Sequence, residues 1–286
     1  MKTRIISAAV LLPILLVFLI WLPKVWTVIL LSLICAIGAY ELLMGTKLVK
    51  NIRLVAYSAL LAIGVCFWSF YGVRQITILG LDESTYYLVS FQWLLAGILV
   101  FTAILFTELL LSKAKLPIRS MAMCYVAGLV IPFLLCSLVR IFALEKGRYL
   151  VYAPFVAAFM SDTAAYFVGK YFGKRKLSPV ISPKKTVEGL FGGIAGAVVG
   201  MLIYAMILQF ACGLQVNFWA ALLYGVLGSG AGVFGDLCFS AIKRQVGIKD
   251  YGNLIPGHGG ILDRFDSVVI VAPVIEMLMI IIPMAV

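Results

Sequence analysis

The sequence predicts an all-α polytopic integral membrane protein with about nine transmembrane helices. Its mean hydropathy is +1.12, and 64% of its residues are hydrophobic whereas only 12% are charged. Apolar runs of about 20 residues, the length of a helix that crosses a bilayer core, recur along the whole chain. This combination excludes an ordinary soluble globular protein.

Each apolar run is predicted to form one span. The first run follows the basic start MKTR and, at about 18 residues, is longer than the hydrophobic segment of most signal peptides. No small-residue cleavage site follows it, so we predict a retained helix. The predicted spans are 5–22, 25–43, 54–73, 87–111, 121–143, 150–169, 189–213, 217–240 and 262–285.

The connections between the spans predict the orientation. With the N-terminus in the cytoplasm, most of the 23 Lys and Arg residues fall in cytoplasmic connections, and the C-terminus lies outside. The formal net charge of +11 has two interpretations: an ordinary positive-inside excess, or an anionic substrate held at the membrane surface. We expect residues 1–145, with spans one to five, to form a scaffold, and residues 146–286, with spans six to nine, to carry the functional site.

The six cysteines lie in or at the ends of apolar runs and form no CxxC pair. We therefore expect them to pack as small apolar residues rather than to form disulfides or a zinc site.

Span six contains a carboxylate, Asp162, about 12 Å of helix away from Lys170. A charge at that depth is costly unless it faces a polar cavity or a partner, so a functional role is the first interpretation. An interhelical hydrogen bond from a protonated carboxyl is the alternative. Tyr166 and Lys170 are expected on the same helical face as Asp162.

The segment SPKKTVEG precedes span seven. Thr186 is predicted to cap that helix, with Glu188 in its first turn, so that backbone N–H groups and the Lys184/Lys185 pair point to one place. A helix N-terminus with lysines suits a polyphosphate, whereas a solvated cytoplasmic loop would explain the charge alone.

Glycines mark spans seven and eight. Gly192, Gly196 and Gly200 form a ridge that predicts close helix packing. Gly230, Gly232 and Gly235 spell GxGxxG, but no strand precedes them, so we interpret them as permitting close approach of a neighbouring helix or a lipid and not as a dinucleotide site.

The densest group of charged residues lies near the end of the chain. Asp236 precedes Ser240 by one turn, and Lys243 and Arg244 continue the same helical face toward the cytoplasm. Asp263 and Asp266 share a face at the start of span nine, with Arg264 between them.

The turn-rich loop KDYGNLIPGHGG can bring these two faces together. Carboxylates from two helices suit Mg²⁺ that bridges phosphates, with a second cation left open, and the basic residues would neutralise a polyphosphate. His258 is interpreted as a phosphate or leaving-group contact, or as a structural residue.

The run SAIKRQVGIKDYGNLIPGHGGILDRFD resembles, at every constrained position, the signature of the phosphatidate cytidylyltransferase (CDP-diacylglycerol synthase) family. SDTAAYFVGKYFGKRK and SPKKTVEGLFGG are similar to that family's second motif. The resemblance is close over residues 155–270 and extends to the first half only in hydropathy.

This resemblance implies an enzyme of phospholipid synthesis that uses Mg²⁺ to transfer CMP from CTP to phosphatidate, giving CDP-diacylglycerol and pyrophosphate. It implies a homodimer in the cell inner (plasma) membrane, with membrane lipid around it, an active site facing the cytoplasm and no nucleic-acid partner. Asp236 and Asp263 match the family's cation-binding carboxylates. Ser240, Lys243, Arg244 and the Lys184/Lys185 loop match residues around the nucleotide or lipid phosphate.

The candidate residues are Ser240, Lys243, Arg244, His258 and Arg264 for catalysis; Asp162, Lys184, Lys185, Thr186, Lys249 and Asp250 for nucleotide or cofactor binding; and Asp236, Asp263 and Asp266 for metal. Two alternatives stay open. One is a cytidylyltransferase or kinase that acts on another lipid phosphate or lipid alcohol. The other, from a different class, is a transporter of an anionic lipid or of phosphate, since intramembrane carboxylates and glycine-rich spans also mark transporters.

Overall fold

A computed structural model describes residues 23–79, 83–144, 146–255 and 259–285. Its helices are α1 (Lys24–Gly45), α2 (Ile52–Leu79), α3 (Glu83–Leu111), α4 (Ile118–Tyr125), α5 (Ile131–Leu135), α6 (Ser137–Ala143), α7 (Gly147–Leu150), α8 (Ala153–Phe172), α9 (Val187–Phe210), α10 (Phe218–Gln245), α11 (Leu262–Phe265) and α12 (Val268–Ile281). A π-helical turn, Val126–Val130, joins α4 to α5. Two short strands, β1 (Lys176–Ser178) and β2 (Ser182–Thr186), lie between α8 and α9.

The helical architecture confirms an α-helical polytopic membrane protein. Within the described ranges, seven helical segments are long and apolar enough to cross a membrane: Lys24–Gly45, Ile52–Tyr71, Phe91–Leu111, Ile118–Ala143, Gly147–Phe172, Val187–Phe210 and Phe218–Gln245. The first predicted span, 5–22, lies outside the described residues. The ninth, 262–285, is divided into a four-residue helix and a 14-residue helix with Pro273 inside it, so the count of nine is not confirmed.

One part of the predicted cytoplasmic loop 170–185 forms a β-hairpin. Strands β1 and β2 pair antiparallel, with Lys176 opposite Thr186 and Ser178 opposite Ser182. Glu188 closes the hairpin because its carboxylate accepts the backbone N–H groups of Lys174 and Arg175. The sequence analysis missed these strands because charge and proline content is typical of a loop as well.

The chain divides into two compact units. The first unit comprises Met1–Arg148 and Ile248–Arg264. Its core includes Leu42 of α1, Leu54 of α2, Leu105 of α3 and Ile141 of α6, all of them fully buried. The π-helical turn precedes Pro132, which lacks an N–H and cannot continue a regular hydrogen-bond ladder.

The cysteines of the first unit are buried, as predicted for packing residues. Cys35, Cys66, Cys124 and Cys136 are free thiols. The Sγ atoms of Cys35, Cys66 and Cys136 lie within 4.8 Å of one another, a grouping that the sequence spacing did not indicate.

The second unit comprises Tyr149–Gly247 and Phe265–Val286, and its centre is the contact between α8 and α9. Side chains of α8 fill the space over the predicted glycine ridge: a Cβ on Gly192 would lie 2.5 Å from Val168, and one on Gly200 would lie 2.5 Å from Met160. A Cβ on Gly196 would clash with the Cβ of Ala164 in the same way. The structure therefore confirms the ridge as a packing surface.

Helix α10 is continuous through the GxGxxG segment, and Gly232 and Gly235 meet residues of α12 and Asp266, whereas Gly230 faces open space. Asn217 caps it by accepting the N–H groups of Trp219 and Ala220. A Cβ on Gly235 would lie 2.8 Å from the carbonyl oxygen of Asp266, so this glycine permits the backbone approach that brings Asp266 next to α10.

Candidate active site

A cavity of about 360 Å³ opens in the second unit between α8, the hairpin, the start of α9 and α10. Its lining residues are Asp162, Ala165, Tyr166, Gly169 and Lys170 from α8, Leu177 from β1, Lys184, Lys185 and Thr186 from β2, Gly189 and Leu190 from α9, and Val233 and Asp236 from α10. Asp162, Tyr166 and Lys170 thus share one face, as predicted. Asp162 lines this cavity rather than facing hydrocarbon, which removes the main penalty for a carboxylate within a membrane helix.

The N-terminus of α9 forms one wall of the cavity. Thr186 caps the helix, as predicted, because its Oγ1 accepts the N–H of Gly189 at 3.1 Å. A Cβ on Gly169 or on Gly189 would lie 2.9 Å from that Oγ1 atom, so only glycine permits this close packing. Lys184 is exposed beside the cap and Lys185 is half-buried. A helix N-terminus with two lysines favours an anion at this wall.

Asp236 is held from two sides. Its Oδ2 lies 2.6 Å from Lys185 Nζ, and its Oδ1 accepts a hydrogen bond from Ser240 Oγ at 3.2 Å. The predicted one-turn relation between Asp236 and Ser240 is therefore a direct contact. The positive charge of Lys185 also attracts the Asp162 carboxylate, so one lysine interacts with two carboxylates.

Asp266 forms a second pair of the same kind. Its Oδ2 lies 3.8 Å from Lys243 Nζ, and its Oδ1 accepts the N–H of Ser267 at 2.9 Å. Both side chains are largely buried. The charge of Asp266 interacts with those of Asp236 and Asp162, so the second unit gathers three carboxylates and two lysines.

The donor type suits a hard divalent cation, but among the described residues Asp162, Asp236 and Asp266 do not bring three ligand oxygens within 4.8 Å of one another. Carboxylate oxygens are the ligands that Mg²⁺ takes in proteins, and Asp162, Asp236 and Asp266 supply such oxygens in the second unit. Lys170, Lys184 and Lys185, together with the α9 N-terminus, supply positive charge on the cavity for phosphate groups.

Asp263 belongs to the first unit and binds the backbone on both sides of residues 256–258, which lie outside the described residues. Its Oδ2 accepts the N–H groups of Tyr251 at 2.8 Å and of Gly260 at 3.0 Å, and the residue is 6% exposed. Gly259 has φ +82°, and a Cβ there would lie 3.0 Å from the same oxygen. Tyr251, Gly259 and Gly260 therefore pack closely around this carboxylate.

Glu41 of α1 is not among the candidate residues that the sequence predicts. It is 4% exposed, and its carboxylate accepts the N–H groups of Ile261 at 3.0 Å and of Leu262 at 2.9 Å. The glycines of the loop are the one sequence feature that could have indicated a close neighbour, because Gly252 and Gly260 both face the Glu41 carboxylate. Glu41 lies more than 200 positions before these glycines in the sequence, so no local pattern could have identified it as their neighbour.

The remaining candidate residues that the structure describes do not line the cavity. Arg244 is exposed, and its Nε donates to the carbonyl oxygen of Ile181 at the turn of the hairpin. Lys249, Asp250 and Arg264 are exposed residues of the first unit. His258 lies outside the described residues.

The fold and the cavity define a multi-pass membrane protein with a site suited to a phosphate-bearing ligand. The model of the cytidylyltransferase family matches residues 2–282. The phosphatidate cytidylyltransferase of Bacillus subtilis is 34% identical over 280 residues, which cover 98% of this chain and 97% of that protein. The phosphatidate cytidylyltransferase of Staphylococcus epidermidis is 40% identical over 188 residues, 65% of this chain and 69% of that protein. The chain therefore belongs to the cytidylyltransferase family and is a nucleotidyltransferase.

Proposed function

We propose that this enzyme transfers the CMP group of CTP to phosphatidate and releases pyrophosphate. A phosphate oxygen of phosphatidate attacks the α-phosphorus of CTP, one P–O bond forms, and the bond to the departing pyrophosphate breaks. The products are CDP-diacylglycerol and pyrophosphate. The attacking phosphate is already ionised, so the reaction needs positioning and charge neutralisation rather than a protein nucleophile.

The observation that carries this proposal is the cationic cavity at the start of α9. The triphosphate would lie against Lys184, Lys185 and the N–H groups of the Thr186-capped helix, where charge-assisted hydrogen bonds are strongest. Lys170 lines the same cavity and would neutralise a further phosphate charge. Lys243 and Arg244 continue along α10 and would attract the phosphate of the lipid.

Mg²⁺ is the proposed cofactor. Asp236 and Asp266 would hold it in the second unit, with Asp162 as a neighbouring carboxylate. When bound, such a cation neutralises phosphate oxygens and the charge that develops on the leaving group. The assignments of Asp263 as a further ligand, of a second cation, and of His258, Arg264, Lys249 and Asp250 to the nucleotide or the lipid rest on the family signature and remain predictions.

The proposed setting follows from charge distribution. The positive-inside pattern supports a cytoplasmic N-terminus and a cytoplasmic active site in the cell inner membrane, with the C-terminus outside. The lipid would reach the site from the cytoplasmic leaflet and CTP from the cytoplasm. Residues 1–145 would serve as scaffold, and the enzyme would act as a homodimer, as the family resemblance implies.

The experiment combines purified full-length protein with phosphatidate micelles, Mg²⁺ and one nucleoside triphosphate at a time. We expect CDP-diacylglycerol and pyrophosphate in equal amounts with CTP, as measured by mass spectrometry and a pyrophosphate assay. Diacylglycerol in place of phosphatidate is the control, because it lacks the attacking phosphate. Phosphorylation of diacylglycerol with release of a nucleoside diphosphate would contradict the proposal and favour a lipid kinase.

A further inference from the structure

Glu41 and the signature loop form one hydrogen-bonded assembly within the first unit. The carboxylate of Glu41 projects from α1 and accepts two consecutive N–H groups, those of Ile261 and Leu262. These N–H groups belong to the residues directly before Asp263, and Leu262 begins α11. A buried carboxylate that accepts two N–H groups fixes the path of that backbone, because each hydrogen bond to a charged acceptor is strong and directional.

The loop is shaped to receive Glu41. A Cβ on Gly252 would lie 2.5 Å from Glu41 Oε1, and a Cβ on Gly260 would clash with Glu41 Oε2. Two separate glycines of one loop therefore make room for a single carboxylate. The Leu262 side chain also approaches α1, since a Cβ placed on Gly38 would lie 3.7 Å from Leu262 Cδ1.

Asp263 accepts from the same loop on its other side. Its Oδ2 takes the N–H groups of Tyr251 and Gly260, so Glu41 and Asp263 together accept four N–H groups of the segment 251–262. The direction in which the Asp263 carboxylate points depends on this backbone, and the backbone depends on Glu41.

We propose that Glu41 is a positioning residue for the reaction: it anchors the backbone of Ile261 and Leu262 and so sets the orientation of Asp263. The proposal rests on the proposed function, in which Asp263 acts as a cation ligand. Glu41 touches no substrate in this role; it acts through the Ile261 and Leu262 N–H groups. Partners that orient metal-binding residues typically contribute about 10- to 100-fold to metal affinity or activity.

The test compares Glu41→Gln and Glu41→Ala with the wild-type full-length protein. Gln retains the shape and one acceptor oxygen but presents an NH₂ group to the other N–H, whereas Ala removes both acceptors. We expect the Mg²⁺ concentration for half-maximal CDP-lipid formation to rise about 10-fold or more in the Gln variant, and further in the Ala variant. The KM for CTP should stay within about threefold.

A second readout does not depend on turnover. Hydrogen exchange of peptides that cover 250–264 should become faster in both variants, and the protection that Mg²⁺ adds there in the wild type should shrink. Peptides from α9 and α10 should exchange as in the wild type. Glu108→Gln is the matched control, because Glu108 is also a buried carboxylate of the first unit but pairs with Arg53 at 3.6 Å.

Three results would overturn the positioning role: wild-type Mg²⁺ dependence in both Glu41 variants, unchanged exchange of the loop, or faster exchange throughout the protein, which would make Glu41 a residue of the fold alone. A wild-type protein that protects the loop but forms no CDP-lipid would instead overturn the proposed function.

Discussion

Replacing Asp236 with Asn separates a functional carboxylate from a structural one. Asn keeps the size of the side chain and can still accept from Ser240, but it loses the charge that faces Lys185 Nζ at 2.6 Å. The two side chains are only 22% and 28% exposed, so removal of the Asp236 charge leaves a mostly buried Lys185 without this counter-charge. Removing the charge also relieves repulsion from Asp162 and Asp266. These two effects oppose each other, so we expect the free energy of unfolding to fall by no more than about 3 kcal/mol.

Activity should respond far more strongly. A group that stabilises charge in the transition state is worth roughly 100- to 1000-fold, or about 3–4 kcal/mol, and we expect turnover of Asp236→Asn to fall by that factor. The assay is the initial rate of CDP-lipid formation at saturating CTP and phosphatidate, beside a thermal unfolding curve in the same detergent.

Ser240→Ala is the control for the hydrogen bond alone, and it should lose less than about tenfold. Turnover of Asp236→Asn within tenfold of the wild type, with an unchanged unfolding curve, would refute the reasoning and show the carboxylate to be dispensable.

Three further predictions test the cavity, the packing and the orientation. Lys184→Ala should raise the KM for CTP about tenfold while kcat stays within about threefold, in steady-state assays; a collapsed kcat at unchanged KM would place Lys184 on the transferred phosphate instead. Gly196→Leu should destabilise the protein by about 2 kcal/mol in thermal unfolding, because the side chain would clash with α8. Gly230→Ala should not, because a Cβ on Gly230 meets open space. Equal stability of the two variants would contradict the role of the glycine ridge as a packing surface. Tags in the hairpin turn 179–181 should be accessible from the cytoplasm and a tag after Val286 from outside, as measured by labelling of intact cells; the reverse would contradict the proposed topology.

The features that the sequence predicted correctly are local. Thr186 caps α9 because the capping pattern needs only the next three residues. Gly192, Gly196 and Gly200 recur at one helical period, so their common face could be read directly. Asp162 was expected to face a polar cavity because its position within an apolar run left few alternatives, and it lines one.

The features that the sequence did not reveal depend on distant residues or on competing local forces. Glu41 meets residues near the other end of the chain. The hairpin is supported by hydrogen bonds from outside its strands: Glu188 accepts the N–H of Lys174, and Arg244 donates to the carbonyl oxygen of Ile181. The ninth span is interrupted because Asp266 and Ser267 turn the chain between α11 and α12, although the hydropathy of the segment is continuous.

The distribution of charge along the second unit favours group transfer over transport. Between Glu188 and Asp236 the chain contains no Asp, Glu, Lys, Arg or His, and α12 contains only Glu276. An anion that crossed the hydrocarbon would need polar or cationic groups along the full depth of these helices, and Glu276 would repel it. The lysines and carboxylates instead gather around Asp236 and at the start of α9, where Lys185 pairs directly with Asp236. A site whose lysines gather at one end of the helices, with Asp162 deeper in α8, can bind two phosphate-bearing substrates and join them without moving charge across the membrane.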